Sequence, residues 1–242
     1  MKIVKAAIGD LIVTFMWILC ASTIGVATSV ITNTMGVVDR MVSSLLITTC
    51  LIFLISFVFG IIADAFGGAS FNATGTIAFC IAGAGGEGDT FMSTAVRFPA
   101  QAVGAVAGVL ALTELMPLEY KHMLEGPTLK VDLHTGAIAE GVLTFLITFV
   151  VLIIIIRGPK SFFMKNWMLS VATMAVIIPG SSYTGPSMNP ANAFAWAYLD
   201  NKHNTWEQFY VYWICPSIGA ILAACFYRLV FPPPPSPKKK TA

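Results

Sequence analysis

Charged residues are scarce in this sequence. Only 11% of the 242 residues are Asp, Glu, Lys or Arg, whereas 57% are hydrophobic. About a quarter of the residues in a soluble globular domain are charged, so the composition excludes that class and indicates an integral membrane protein in a lipid bilayer. The formal net charge of +2 is small. It gives no reason to expect a nucleic-acid partner, whose binders carry basic clusters on a folded face.

Cysteine and histidine are also few, with five and three residues. The cysteines lie in or beside apolar runs without metal-ligand spacing, which predicts free structural thiols. The histidines lie in polar connections, far in sequence from any matching partner. Because the chain shows no Ser/His/Asp constellation and no metal cluster, we expect no enzyme activity, no metal and no cofactor. The residues are Cys20, Cys50, Cys80, Cys215, Cys225, His122, His134 and His203.

Long apolar runs dominate instead. A helix needs about 20 apolar residues to cross a membrane, and six runs meet this length. The first could be read as a signal peptide, but it is too long for one, contains Asp10 and lacks a convincing cleavage site. The predicted spans are 6–30, 43–65, 95–115, 136–156, 162–178 and 208–231.

Two further apolar pieces, 75–83 and 191–199, are too short to cross. Each follows a triplet that begins with asparagine: the first triplet, Asn72-Ala73-Thr74, and the second triplet, Asn189-Pro190-Ala191. Asn is a preferred helix N-cap, and Pro suits the first helical position because the N–H there has no partner. The sequence therefore predicts two half-helices.

The two halves of the chain repeat the same order of features. An acid-x-x-x-Thr-Phe signature recurs at an offset of 130, the triplets at 117 and a Gly-Ala pair at 115. Three spans per half means that the second half enters the membrane from the opposite face. We expect one all-α channel domain over 1–231, with inverted repeats at about 6–115 and 136–231 and half-helix N-termini that meet near the mid-plane. The paired signatures are Asp10 to Phe15 with Glu140 to Phe145, and Gly104-Ala105 with Gly219-Ala220.

Basic residues are distributed unevenly between the two predicted sides of the membrane. With both termini in the cytosol, that side holds ten Lys and Arg residues and the other side four, which agrees with the positive-inside rule. The proline-rich and basic stretch 232–242 is expected to be a disordered cytosolic tail. The ten are Lys2, Lys5, Arg97, Arg157, Lys160, Lys165, Arg228, Lys238, Lys239 and Lys240.

The triplets, the acid signatures and Gln101-x-x-Gly104 together resemble the aquaporin, or major intrinsic protein, family over residues 6–231. The altered first triplet, the intact second one, Pro186 and the lysine-rich tail resemble the plant small basic intrinsic proteins of the first subgroup. The resemblance implies an hourglass pore in each protomer of a homotetramer in the endoplasmic reticulum. The ending Lys239-Lys240-Thr241-Ala242 is similar to a dilysine retrieval signal.

The family resemblance also implies the pore residues. Asn72 and Asn189 would each offer an amide N–H to a passing oxygen, although both could serve as N-caps alone; the two roles are compatible. The selectivity filter would be Ile52, Ile177, Pro186 and Asn192. Asn192 stands where the family normally carries an arginine, which predicts a pore of modest selectivity. The remaining pore positions are Ala73, Thr74, Pro190 and Ala191.

Asp10 and Glu140 lie inside predicted spans, where an acid costs about 2.5 to 3.5 kcal/mol, so each needs partners. The resemblance implies exposed backbone of the half-helix loops, although Asp10 is one methylene shorter than Glu140. The alternative is a proton relay or ion site, as in a transporter.

A passive channel for water and other small neutral solutes is therefore the first functional hypothesis. A secondary transporter and a membrane enzyme or structural protein are the alternatives. A coupled transporter should need ionisable groups near the broken helices, and the half-helix segments contain none.

Overall fold

Every regular element is helical in the computed structural model, which describes residues 2–36, 40–85 and 90–232. Apart from Pro232, the predicted tail lies outside these residues. The helices are α1 (Lys2–Ala21), α2 (Ile24–Met35), α3 (Arg40–Ala65), α4 (Ala73–Ala82), α5 (Phe91–Leu115), α6 (Leu118–Lys121), α7 (Leu133–Arg157), α8 (Phe162–Gly180), α9 (Pro190–Leu199), α10 (Trp206–Phe209) and α11 (Cys215–Val230), with a π-helical turn at Tyr210–Ile214 before α11.

Six helical segments among the described residues are long and apolar enough to cross a membrane. They correspond one to one to the predicted spans, and their ends differ by a few residues. The helix α7 begins three residues earlier than expected because the Asp132 side chain caps it by accepting hydrogen bonds from the N–H groups of His134 and Thr135. The segments are Ile3–Met35, Arg40–Ala65, Phe91–Leu115, Leu133–Arg157, Phe162–Gly180 and Trp206–Val230.

The predicted first span is present as the segment Ile3–Met35, but its helix is not continuous. The helix is interrupted at residues 22–23, between α1 and α2. The Thr23 hydroxyl donates to the carbonyl oxygen of Cys20 at 2.7 Å, and the Thr23 N–H bonds the same carbonyl at 3.1 Å. Because side-chain hydrogen bonds of this kind compete with the helical ladder, the helix restarts after Thr23.

The prediction that the fifth span ends at Pro179-Gly180 is confirmed, and both residues belong to the helix. The helix α8 continues through Pro179 to Gly180. A proline in the last turn removes a single backbone donor, and the Ser181 N–H still bonds the carbonyl of Ile177 at 2.9 Å.

Both predicted half-helices are present. The Asn72 side chain accepts a hydrogen bond from the N–H of Thr74 at the start of α4, and the Asn189 side chain accepts one from Ala191 at the start of α9. Each helix has ten residues, which is about half of what a span needs. The chain therefore enters and leaves the membrane layer on the same side at each half-helix.

Close helix packing relates the two halves. A β-carbon at Gly104 would overlap the carbonyl oxygen of Leu11, and one at Gly219 would overlap that of Gly141. Leu11 and Gly141 directly follow the two buried acids in sequence. The pair α1 and α5 therefore packs like the pair α7 and α11. The sequence left open whether Gly104 and Gly108 pack within or between protomers, and both contact α1 of the same chain.

Each half-helix packs against the last span of the other half. Ala191 and Ala195 of α9 share a buried cluster with Ala105 and Val109 of α5. Ala78 of α4 lies in a second cluster with Ala220 and Ala224 of α11. Because each half-helix packs on the opposite half, the two halves interlock and the first residues of α4 and α9 lie close together.

Gly219→Ala should destabilise the protein by about 1–3 kcal/mol, because overpacking a close contact forces the backbone to shift. The helix α11 would have to move away from Gly141. Thermal unfolding of the detergent-solubilised protein measures the effect. The matched control is Gly25→Ala, whose added β-carbon meets nothing within 4 Å. Equal unfolding midpoints for the two variants would contradict the packing argument.

Candidate functional site

The two half-helix starts are joined by reciprocal hydrogen bonds. The side-chain amide of Asn72 donates to the carbonyl oxygen of Met188 at 3.3 Å. The side-chain amide of Asn189 donates to the carbonyl oxygen of Phe71 at 2.8 Å. Each Asn thus bonds the residue that precedes the other Asn, and the two N-termini meet.

The first triplet adds a hydroxyl at this meeting point. The oxygen Oγ1 of Thr74 lies 2.7 Å from Oδ1 of Asn72 and 2.9 Å from the carbonyl oxygen of Met188. A hydroxyl has one hydrogen to donate, so it serves these acceptors alternately. Ala191 at the equivalent position of the second triplet makes no such bond, and Ala73, Thr74, Pro190 and Ala191 are all buried.

Glu140 holds the loop before the second triplet. Its carboxylate accepts hydrogen bonds from the hydroxyl of Thr184 at 2.8 Å, the N–H of Ser187 at 2.9 Å and the N–H of Met188 at 3.0 Å. Met188 has a φ of 49°, a left-handed conformation that is costly for a residue with a side chain. Hydrogen bonds to both its N–H and its carbonyl hold it there.

Asp10 holds the loop before the first triplet with different partners. Its Oδ1 accepts a hydrogen bond from the N–H of Ser70 at 2.8 Å. Arg97 binds both carboxylate oxygens, with Nε 2.8 Å from Oδ2 and Nη2 2.9 Å from Oδ1. Asp10 and Arg97 have exposed fractions of 0% and 4%, so this is a buried ion pair.

Sequence analysis counted Arg97 only as a basic residue of the cytosolic side and gave it no partner. In the structure it lies in α5 and binds Asp10. A charge in an apolar span requires a partner, and Asp10 is the acid in the first span. That argument could have found the pair from sequence. Without Arg97, nine basic residues remain on the predicted cytosolic side against four.

The predicted filter residues come from four elements. Ile52 lies on α3, Ile177 on α8, Pro186 before the second triplet and Asn192 in the first turn of α9. The side-chain amide of Asn192 donates to Oγ of Ser187 at 3.1 Å, and Oγ of Ser187 donates to the carbonyl of Asn189 at 2.8 Å. Asn192 is thereby bound to the backbone that carries the second triplet.

Part of the connection between the third and fourth spans folds onto the second half-helix loop. The N–H of Thr128 donates to the carbonyl of Thr184 at 3.0 Å, and the N–H of Lys130 to that of Tyr183 at 2.8 Å. The hydroxyl of Tyr212 donates to the same Thr184 carbonyl at 3.1 Å. Thr184 and Tyr212 thus support the second loop, a role that sequence analysis did not assign.

The comparisons with known proteins agree with this geometry. The family model "Major intrinsic protein" matches residues 1–227. Aquaporin SIP1-1 of Oryza sativa subsp. japonica is 55% identical over 241 residues, which cover 99% of this chain and 98% of that protein. Aquaporin SIP1-2 of Zea mays is 56% identical over 239 residues, with 98% and 97% covered.

The chain belongs to the major intrinsic protein family. The solved aquaglyceroporin of Plasmodium falciparum has the same fold, with a TM-score of 0.70 over 95% of this chain and 98% of that one at 17% identity. This confirms the predicted fold class of six spans and two half-helices. As a member of the major intrinsic protein family with six apolar helical segments, the chain is a multi-pass integral membrane protein.

Glu140→Gln should lower the free energy of unfolding by about 1–3 kcal/mol, because a buried N–H left without an acceptor costs that much. The NH₂ group of the new glutamine would face one of the two backbone N–H groups that now donate to the Glu140 carboxylate, so that N–H would lose its acceptor. Chemical unfolding in detergent measures the change, with Glu114→Gln on an exposed helix position as the matched control. If both variants unfold at the same midpoint, Glu140 does not hold the loop.

Proposed function

We propose that this protein is a passive channel for water and other small neutral solutes, and that the two half-helix N-termini form its permeation barrier. The observation that carries the proposal is the reciprocal pair of bonds from Asn72 to Met188 and from Asn189 to Phe71. Membership of the major intrinsic protein family supports it.

The electrostatics of the meeting point favour neutral permeants. A helix N-terminus carries roughly half of a positive elementary charge, and α4 and α9 both direct this end to the same place. Two such ends repel a cation, including a proton carried by water. Neutral molecules do not experience this repulsion.

The asparagine amides supply the groups that orient a permeant. Each amide has two N–H bonds, and one of them is engaged with the opposite backbone carbonyl. The second N–H of Asn72 and that of Asn189 can donate to the oxygen of a passing water. A water that accepts both bonds has its lone pairs occupied. It therefore donates to both neighbouring waters and accepts from neither, which interrupts a proton wire.

Ile52, Ile177, Pro186 and Asn192 are proposed as the selectivity filter. Three of these side chains are apolar, and the amide of Asn192 is bound to Ser187. An asparagine carries no charge where an arginine would repel cations. The filter is therefore proposed to discriminate weakly among small neutral solutes.

The oligomeric state, the orientation in the membrane and the cellular location are also proposed from the family and the sequence. The family supports a homotetramer, and the excess of basic residues on one side supports cytosolic termini. Lys239-Lys240-Thr241-Ala242 supports retention in the endoplasmic reticulum membrane, and this ending lies outside the described residues.

Proteoliposomes that contain the purified protein should shrink faster than empty vesicles after an osmotic step. The activation energy of the water flow should be well below that of bare lipid, because water stays hydrogen-bonded throughout its passage. Stopped-flow light scattering at several temperatures measures both quantities. Uptake that depends on an ion gradient, without fast water flow, would instead support a secondary transporter.

Asn192→Arg should reduce the permeability to small neutral solutes relative to water by about tenfold, the equivalent of 1.4 kcal/mol. The arginine would place a bulky, positively charged guanidinium at the first turn of α9. Solute and water fluxes in the same vesicles give the ratio. Asn204→Arg, at an exposed position of the following connection, is the control for added charge. Equal flux ratios in the two variants would exclude Asn192 from the filter.

A further inference from the structure

The first half-helix is held by a polar chain that the second half lacks. The amide of Gln101 donates both to Oδ2 of Asp10 at 2.7 Å and to Oγ1 of Thr76 at 3.0 Å. The hydroxyl of Thr76 donates to the carbonyl of Asn72 at 3.1 Å. A continuous path of hydrogen bonds thus leads from the ion pair to Asn72 at the meeting point.

Arg97 fixes the start of this path. It binds both oxygens of Asp10 and also donates from Nη2 to the carbonyl of Gly68 at 3.4 Å. Gly68 has a φ of 80° and lies at the turn that leads into the first triplet. One guanidinium therefore contacts both the acid and the loop that the acid holds.

The equivalent positions of the second half carry different residues, of which only Tyr212 bonds the loop, through its hydroxyl to the carbonyl of Thr184. At the offset of 115 that relates Gly104 to Gly219, Arg97 corresponds to Tyr212 and Gln101 to Pro216. At the offset of 117 that relates the triplets, Thr76 corresponds to Ala193. All three members of the path are replaced.

The second half has two features that the first lacks. Pro190 stands at the first position of α9, where its ring fixes φ for the helix, and Ala73 stands at that position in α4. Glu140 accepts hydrogen bonds from two successive backbone N–H groups. The shorter Asp10 accepts one loop N–H, that of Ser70.

We propose that Arg97 is the positioning residue of the first half-helix, and that its path through Asp10, Gln101 and Thr76 replaces the orienting effect of the missing proline at position 73. The inference rests on the proposed function insofar as a displaced Asn72 alters permeation. Arg97 acts through Asp10 and Gln101 and does not contact the permeant.

The test separates positioning from charge balance. Arg97→Gln alone leaves a buried carboxylate without its cation, which is destabilising in itself. The double variant Asp10→Asn/Arg97→Gln removes both charges and so avoids that effect. Arg97→Lys keeps the charge but not the two-pronged contact, and it provides a second variant that is expected to fold.

Hydrogen exchange of the protein in nanodiscs reports on the two loops independently of conduction. In the double variant, exchange over 66–76 should rise about tenfold, as local opening becomes easier, while exchange over 183–191 should stay within about twofold of wild type. Arg97→Lys should give an intermediate rise. Adding Ala73→Pro to the double variant should restore most of the protection. The control Arg157→Gln removes an arginine that bonds Tyr227 and should change neither segment.

Permeation through proteoliposomes supplies the second readout. The ratio of small-solute to water permeability should change in the double variant and return toward wild type with Ala73→Pro. A purely structural ion pair would lower the amount of folded protein and leave this ratio unchanged.

Three results would overturn the inference: wild-type exchange over 66–76 in the double variant, an equal rise in both segments, or no restoration by Ala73→Pro. Failure of the proposed function is distinguishable from these results. If wild-type protein conducts no water but the exchange pattern holds, the channel function is wrong and the positioning role of Arg97 stands.

Discussion

The structure depends on one constraint: backbone polar groups that leave helical geometry inside a membrane must find partners within the protein. An unsatisfied N–H or carbonyl in hydrocarbon costs several kcal/mol, and the chain breaks its helices at two such places. Glu140 and Asp10 accept hydrogen bonds from the exposed loop N–H groups. The amides of Asn72 and Asn189 bond the carbonyls at the meeting point. The asparagines that support the break are therefore the same residues that are proposed to contact a permeant.

The two halves meet this constraint with different chemistry. The second half uses a proline, a glutamate with the longer reach and a left-handed Met188 held at both its N–H and its carbonyl. The first half uses an ion pair buried between α1 and α5. An inverted repeat thus preserves the backbone arrangement while its supporting side chains diverge. The meeting point of the two half-helices is also asymmetric, because the first triplet contributes the hydroxyl of Thr74 and the second has Ala191 at the equivalent position.

Much of the fold could be predicted because it depends on patterns that are local in sequence. The spans follow from apolar length, and the half-helices follow from Asn72 and Asn189 as N-caps. The break at Thr23 was missed because a threonine hydroxyl bonds its own helix in many continuous helices. The repeated Gly-Ala pair could be seen in the sequence at Gly104 and Gly219, but the helix that each glycine contacts was known only from the structure.

Among the site residues, the partner of Arg97 was missed because the proximity of Arg97 to a predicted connection outweighed its place in an apolar run. The supporting roles of Thr184 and Tyr212 depend on long-range contacts that no local pattern encodes.

The central claim is that the paired half-helix N-termini admit water and reject protons. It is tested most directly by measuring water and proton fluxes across the same proteoliposomes, with an osmotic step for one and a pH step with an internal dye for the other. The account predicts that water flux increases with the amount of protein per vesicle, while proton flux stays at the level of protein-free vesicles. Proton flux that increases in proportion to water flux would contradict it.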